Sequence, residues 1–204
     1  MDGGFMHALS LFLVKYLNNY AKREGNDYLR LVYCMEAFIM NISKLFIILM
    51  IALVLGSLHY TIAVLIGFNV IRRTAFGAHA SSSAMCTLSS TALFVILPYF
   101  IRNFAIGNVA VLLIFTVIML TIILYAPADT EARPLVSHKK RMLYKKQTVL
   151  SGLIVMLIAL ITKDCVMKTM LTLGSIYEGV SILPITYRIL SKQYNNYLKY
   201  EIEN

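Results

Sequence analysis

The chain has 204 residues, 59% of them hydrophobic and 14% charged, with a net charge of +9 and a mean hydropathy of +0.72. That is too little charge for a soluble globular domain, and the length leaves no room for a large soluble domain beside several spans. The class is therefore an all-α, polytopic membrane helical bundle, and the basic residues flanking its apolar runs point to topology and anionic lipid, not to nucleic acid.

Residues 1–10 carry Asp2 early, lack a basic start and offer no cleavable signal peptide. Residues 6–20 are apolar with Lys15, Asn18 and Asn19 interspersed, the pattern of an interfacial helix; the other reading is a seventh, imperfect span. A crossing helix needs about 20 apolar residues. Against that length, six candidate spans follow, at about 38–56, 58–71, 85–101, 107–125, 148–162 and 166–187. The links at 56–60, 102–107 and 163–168 are short, which pairs the spans as hairpins. One integral-membrane domain over 1–204 is expected, with N-terminal cytoplasmic and interfacial helices (1–37), a transmembrane core (38–187) and a cytoplasmic tail (188–204).

With both termini inside, Arg72, Arg73, Arg133, Lys139, Lys140, Arg141, Lys145, Lys146 and the basic residues of both ends lie on the cytoplasmic side. Only Arg102, Lys163 and Lys168 lie outside, and this asymmetry sets the orientation. No span shows a paired set of buried ions or matched Gly/Pro breaks, as a transporter's core would. Pro98 and Pro184 read as simple kinks.

The polar stretch 72–85 reads as a re-entrant loop, tolerable at membrane depth only where protein or water satisfies its backbone. It leads to Cys86 and contains His79. A thiol with an imidazole partner is the minimum equipment for nucleophilic attack on an amide, and it needs no metal. On one continuous helix the two residues would stand about 10 Å apart along the axis, so the backbone between them has to bend. Ser81, Ser82 and Ser83 suit that bend, and one of them can cap the third span and put Cys86 in its first turn. A helix N-terminus and neighbouring cations such as Arg72 and Arg73 favour a thiolate in general, although two arginines at a span's end also serve as a plain inner-leaflet anchor. Gly77 suits a tight backbone approach or a positive φ, and its N–H is a candidate oxyanion donor. The three cysteines, Cys34, Cys86 and Cys165, are odd in number and widely spaced, which argues against a disulfide framework. Asp129 and Glu131 share a loop without forming a metal site, so neither metal nor cofactor is expected.

Two motifs carry a resemblance. The first is Arg72-Arg73-x-x-x-Gly77-Ala78-His79-Ala80-x(5)-Cys86. The second is Tyr125-Ala126-Pro127-Ala128-Asp129-Thr130-x-x-Arg133-Pro134, followed by Lys139-Lys140-Arg141. Together with chain length and span order, they resemble the accessory gene regulator protein B family, membrane cysteine endopeptidases of Gram-positive peptide quorum sensing, over almost the whole chain.

The resemblance implies that His79 and Cys86 are the catalytic pair and that Arg72 and Gly77 are functionally sensitive. Asp129 is a candidate orienter of His79, with loop capping as its other reading; Glu36 and Asn69 are further candidates. The implied substrate is a precursor peptide with an amphipathic leader on the inner leaflet and an acidic C-terminal tail. Removal of the tail through a thioester on Cys86 would let an internal thiol or hydroxyl close a thiolactone or lactone. Lys139, Lys140, Arg141, Lys145 and Lys146 would bind that tail, the inner-leaflet lipid, or both. A homodimer and a multi-pass location in the cell membrane are also implied, with the catalytic loop cytoplasmic. The alternative is a peptide exporter without proteolytic activity.

Overall fold

A chain of Leu, Ile, Val and Met in lipid has to satisfy its backbone internally, which favours helices. The computed structural model describes residues 3–78, 82–131 and 134–201, and among these the regular structure is all helical. In order the helices are α1 (Gly3–Ala21), α2 (Gly25–Val54), α3 (Leu58–Ala75), α4 (Ser83–Thr91), a π-helical turn (Ala92–Ile96), α5 (Leu97–Ile101), α6 (Asn108–Tyr125), α7 (His138–Ile161), α8 (Cys165–Ser181), α9 (Pro184–Ile189) and α10 (Leu198–Glu201). The all-α class expected from composition is the class observed.

Four helical runs are long and apolar enough to cross a membrane: α2, the continuous run Ser83–Ile101, α6 and α7. The other two expected spans correspond to α3 and α8, which are more polar or shorter. α3 ends in Asn69, Arg72 and Arg73, and α8 has 17 residues and carries Lys168 and Glu178. The π turn lies just before Pro98 in the run Ser83–Ile101. There the Leu97 N–H reaches back five residues to the Ala92 carbonyl, and the widened turn makes room for a ring that lacks an N–H.

The chain divides into two compact units, residues 1–51 and 52–204, and α2 runs through the boundary. In the first unit α1 meets α2 through a turn closed by Asn18. Its Oδ1 accepts the Arg23 N–H at 2.7 Å, and its Nδ2 donates to the Arg23 carbonyl at 3.0 Å. His7 Nδ1 and Glu36 Oε2 lie 3.6 Å apart across the two helices, so within this unit Glu36 faces α1.

In the second unit α3 packs most extensively on α8, with α6 and α7 completing the bundle. The α3–α8 contact is backbone against backbone. A Cβ on Gly67 would fall 2.2 Å from the Leu171 carbonyl oxygen, and one on Gly174 would fall 2.1 Å from that of Val64. Ser175 Oγ bonds the Leu171 carbonyl at 3.1 Å and reaches the Gly67 carbonyl at 3.4 Å. Lipid tails give apolar side chains no reason to prefer a neighbouring helix, so small residues and close van der Waals contact hold such pairs. Val64, Ile71, Phe115, Ile122, Val155 and Met170 fill the interior around this seam. Lys168, expected in an outer link, is buried on α8, and its Nζ donates to Asn108 Oδ1.

Candidate active site

The α3–α8 seam ends in a cluster of polar groups. Arg72, in the last turn of α3, is 13% exposed and faces the fully buried Glu178 of α8, with Nη1 and Oε2 3.4 Å apart. The same nitrogen donates to Ser181 Oγ at 2.8 Å, while Nη2 donates to the carbonyls of Gly77 and Ala78, at 3.0 Å each. A planar guanidinium presents donors in a fixed fork, which is why one side chain grips a carboxylate, a hydroxyl and two successive carbonyls. Two sequence expectations are corrected here. A buried ion pair does join two of the expected spans, from Arg72 just past the end of the segment 58–71 to Glu178 within 166–187. The charge of Arg72 is also committed to Glu178 and the loop instead of standing as a surface anchor.

The loop after α3 is correspondingly tight. The expected loop over 72–85 shrinks, because α3 continues to Ala75 and α4 begins at Ser83. Phe76 closes α3 by donating to the Arg72 carbonyl at 3.1 Å and takes a positive φ of 64°, its ring set edge-on to Tyr144. Gly77 follows with φ 110°, and a Cβ there would fall 2.4 Å from Arg72 Nη1 and 2.6 Å from Ser181 Oγ. Its N–H is not available to an oxyanion, because it donates to the Ala128 carbonyl at 2.9 Å. The Ala128 N–H in turn donates to the Ala75 carbonyl at 2.8 Å, and the Ala78 N–H donates to the Ser181 carbonyl at 3.1 Å. His79 lies outside the described residues.

On the far side of the loop Ser82 caps α4, as the serine run predicts. Its backbone is extended, its Oγ accepts the Met85 N–H at 3.1 Å, and its carbonyl accepts the Cys86 N–H at 3.0 Å. Cys86 is therefore in the first turn of α4, half-buried and with a free thiol.

Asp129 is almost completely buried, and both of its carboxylate oxygens accept backbone N–H groups. Oδ1 takes that of Asn196 at 2.9 Å, while Oδ2 takes those of Tyr197 at 2.9 Å and Leu135 at 3.3 Å. The carboxylate thus ties the 126–135 loop to the C-terminal segment. Tyr187 completes the support, its hydroxyl 3.0 Å from the carbonyls of both Ala128 and Asp129. Beyond the spans, the Tyr194 hydroxyl donates to the Tyr125 carbonyl at 3.2 Å; burial pushes that phenol up to about 12, so it remains a donor throughout the neutral range.

The basic run opens α7. Lys139, Lys140 and Lys146 are exposed and Lys145 is half-buried. Arg141 differs. Its Nη1 donates to the carbonyls of Leu135 and Val136, at 3.1 Å each, and its guanidinium lies 3.9 Å from the centre of the Tyr197 ring. Sequence reasoning missed Glu178, Ser181 and Tyr187. A lone carboxylate inside an apolar run was the available signal for the first of them, since an ionisable group at membrane depth needs a partner.

A family model described as Accessory gene regulator B matches residues 9–183. An AgrB-like protein of Clostridium acetobutylicum is 41% identical over 185 residues, covering 91% of this chain and 88% of its own. One from Listeria innocua is 38% identical over 180 residues, covering 88% of each chain. The accessory gene regulator protein B of Staphylococcus epidermidis is 31% identical over 175 residues, 82% of this chain and 88% of its own. No solved structure matches the chain.

Proposed function

Because the chain belongs to the accessory gene regulator B family, a family of the agr quorum-sensing system, we propose that it is a membrane cysteine endopeptidase that trims a signal-peptide precursor. The observation that carries this reading is Cys86 in the capped first turn of α4, eight residues along the chain from Ala78, whose carbonyl Arg72 grips together with that of Gly77. His79 belongs to the few residues between those two fixed points.

In this mechanism His79 takes the proton of Cys86 and the thiolate attacks the carbonyl carbon that joins the future ring to the tail. The tetrahedral adduct collapses with loss of the tail's amine, which receives its proton from His79, leaving a thioester on Cys86. An internal cysteine or serine of the peptide then attacks the thioester. Its proton passes through His79 to the departing Cys86 sulfur, so a thiolactone or lactone forms and the enzyme is restored without consumption of water. With the Gly77 N–H engaged elsewhere, the N–H groups of Ser83 and Ala84, which precede the first helical carbonyls of α4, suit the oxyanion. Asp129 serves as the loop's anchor, not as a proton relay. The loop and both termini face the cytoplasm in this reading, where Lys139, Lys140, Lys145 and Lys146 meet an acidic tail or anionic lipid, while Arg141 holds the segment before α7.

The buried Arg72–Glu178 pair removes one argument against a transporter, so the test has to separate the two activities. Mass spectrometry of a co-expressed precursor does so. Loss of the tail and an acyl adduct on Cys86 are expected with the parent protein and neither with Cys86→Ala. A precursor left whole by both proteins, at equal expression, would refute the peptidase.

A further inference from the structure

We propose that Glu178 is a positioning residue for this reaction, acting through Arg72 to fix the loop that delivers His79; the role rests on the peptidase reading. Glu178 and Ser181 are three residues apart on α8 and share a face. Ser181 Oγ lies 3.0 Å from Glu178 Oε2 and 2.8 Å from Arg72 Nη1, so one carboxylate oxygen, the hydroxyl and one guanidinium nitrogen meet in a triangle. That set leaves Nη2 aimed at the Gly77 and Ala78 carbonyls. The same turn of α8 also takes the Ala78 N–H on the Ser181 carbonyl. Ala78 is therefore held at both its N–H and its C=O, by the Ser181 carbonyl and by Arg72, and it is the residue that precedes His79 in the sequence.

Gly77 shows how tightly the loop lies on this set, since a Cβ there would strike both Arg72 Nη1 and Ser181 Oγ. Stability alone is a poor explanation for the pair, because burying two charges roughly offsets their attraction and apolar residues of similar volume do as well. Direction is what the pair adds. Without the Glu178 carboxylate the guanidinium loses its counter-charge, and both loop carbonyls lose a donor held in place. Lysine at position 72 keeps the charge opposite Glu178 but has no planar fork to span two carbonyls. Glu178 touches neither the thiol nor the peptide in this scheme, so its removal changes the rate of Cys86 acylation and leaves precursor binding alone.

The test uses the full-length chain in detergent micelles, a synthetic precursor peptide, and the variants Glu178→Gln, Arg72→Lys, their double variant and Cys86→Ala. Glu178→Gln is expected to slow acylation about 100-fold at unchanged KM, the scale on which misplacement by an ångström acts. Arg72→Lys is expected to do the same, and the double variant to be no slower than either single one, because both act through one device. Parental rates in Glu178→Gln, or losses that multiply in the double variant, would overturn the proposal. Hydrogen exchange at the Ala78 amide reads the loop without reference to cleavage. It is expected to quicken about tenfold in Glu178→Gln and to be unchanged in Cys86→Ala. If the parent leaves the precursor whole, the peptidase reading fails, and unchanged Ala78 exchange in Glu178→Gln would separately overturn the positioning role. Should Glu178→Gln not fold, Ser181→Ala serves in its place, since it keeps the carbonyl that binds Ala78 and removes only the hydroxyl. About fivefold slower acylation supports the proposal there, and a parental rate refutes it.

Discussion

The two arms that flank His79 are built in opposite ways. The arm from Arg72 to Ala78 is held by partners far away in sequence: Glu178 and Ser181 on α8 and Ala128 in the loop after α6. The arm from Ser82 to Thr91 is held from within. Among the described residues its side-chain hydrogen bonds reach no further than four positions, and none of the residues of α4 is fully buried. In the proposed reaction the segment that precedes the base is thus fixed by tertiary structure and the nucleophile by a helical turn. Damage to the first arm should propagate from distant sites, whereas damage to the second should stay local.

The largest effect on cleavage is expected from Gly77→Ala, at the tightest point of the clamped arm. A φ of 110° in a residue with a side chain adds strain of about 1–3 kcal/mol. The new methyl also displaces Arg72 and Ser181 together. Cleavage should fall more than about 100-fold, with a lower thermal midpoint in detergent. Cleavage at the parental rate would mean that the loop relaxes freely and that the arm is not clamped.

Asp129→Ala strikes the same arm from further off. Three backbone N–H groups lose their acceptor, and each buried donor left unsatisfied destabilises by about 1–3 kcal/mol. The thermal midpoint should drop more than for any surface lysine of α7. Exchange at Ala78 should quicken, because the Ala128 carbonyl that receives the Gly77 N–H sits beside Asp129. A catalytic orienter would behave differently, with cleavage abolished and the melting curve unmoved.

The contrast between the arms also explains what could be read from sequence. The local arm was legible: three serines before an apolar run announce a cap, and Ser82 supplies it for the turn that carries Cys86. The clamped arm was only half legible. Gly77 advertised a special backbone and the resemblance marked Arg72 as sensitive, yet no local pattern named the partner of Arg72, and Glu178 was absorbed into the hydropathy of its run. Their meeting depends on the approach of α3 to α8 across Gly67 and Gly174, which contact appears in no local pattern. The same pair bears on the span count, since four helical runs are long and apolar enough to cross a membrane by themselves and the other two expected spans fall on α3 and α8. The segments at 58–71 and 166–187 were weighed as independent crossings, whereas α3 and α8 shield each other's polar groups and need less apolar surface of their own. Arg141 repeats the lesson, read among lysines by charge but held to Leu135, Val136 and Tyr197 by geometry.

The smallest expected effect tests the independence of the two arms most directly. Ser82→Ala removes the side-chain acceptor of the Met85 N–H, a loss of about 0.5–2 kcal/mol for an N-cap, and frays the turn that carries Cys86. Acylation of Cys86 by the precursor should slow a few-fold, since the backbone of the turn remains helical for much of the time. Ser82→Asp should restore the rate, because aspartate caps as well as serine. Exchange at Ala78 should not respond to either substitution, because no hydrogen bond described for α4 reaches the 76–78 loop. If Ser82→Ala does quicken Ala78 exchange, the two arms move as one unit, and the division between a tertiary and a local half of the site fails.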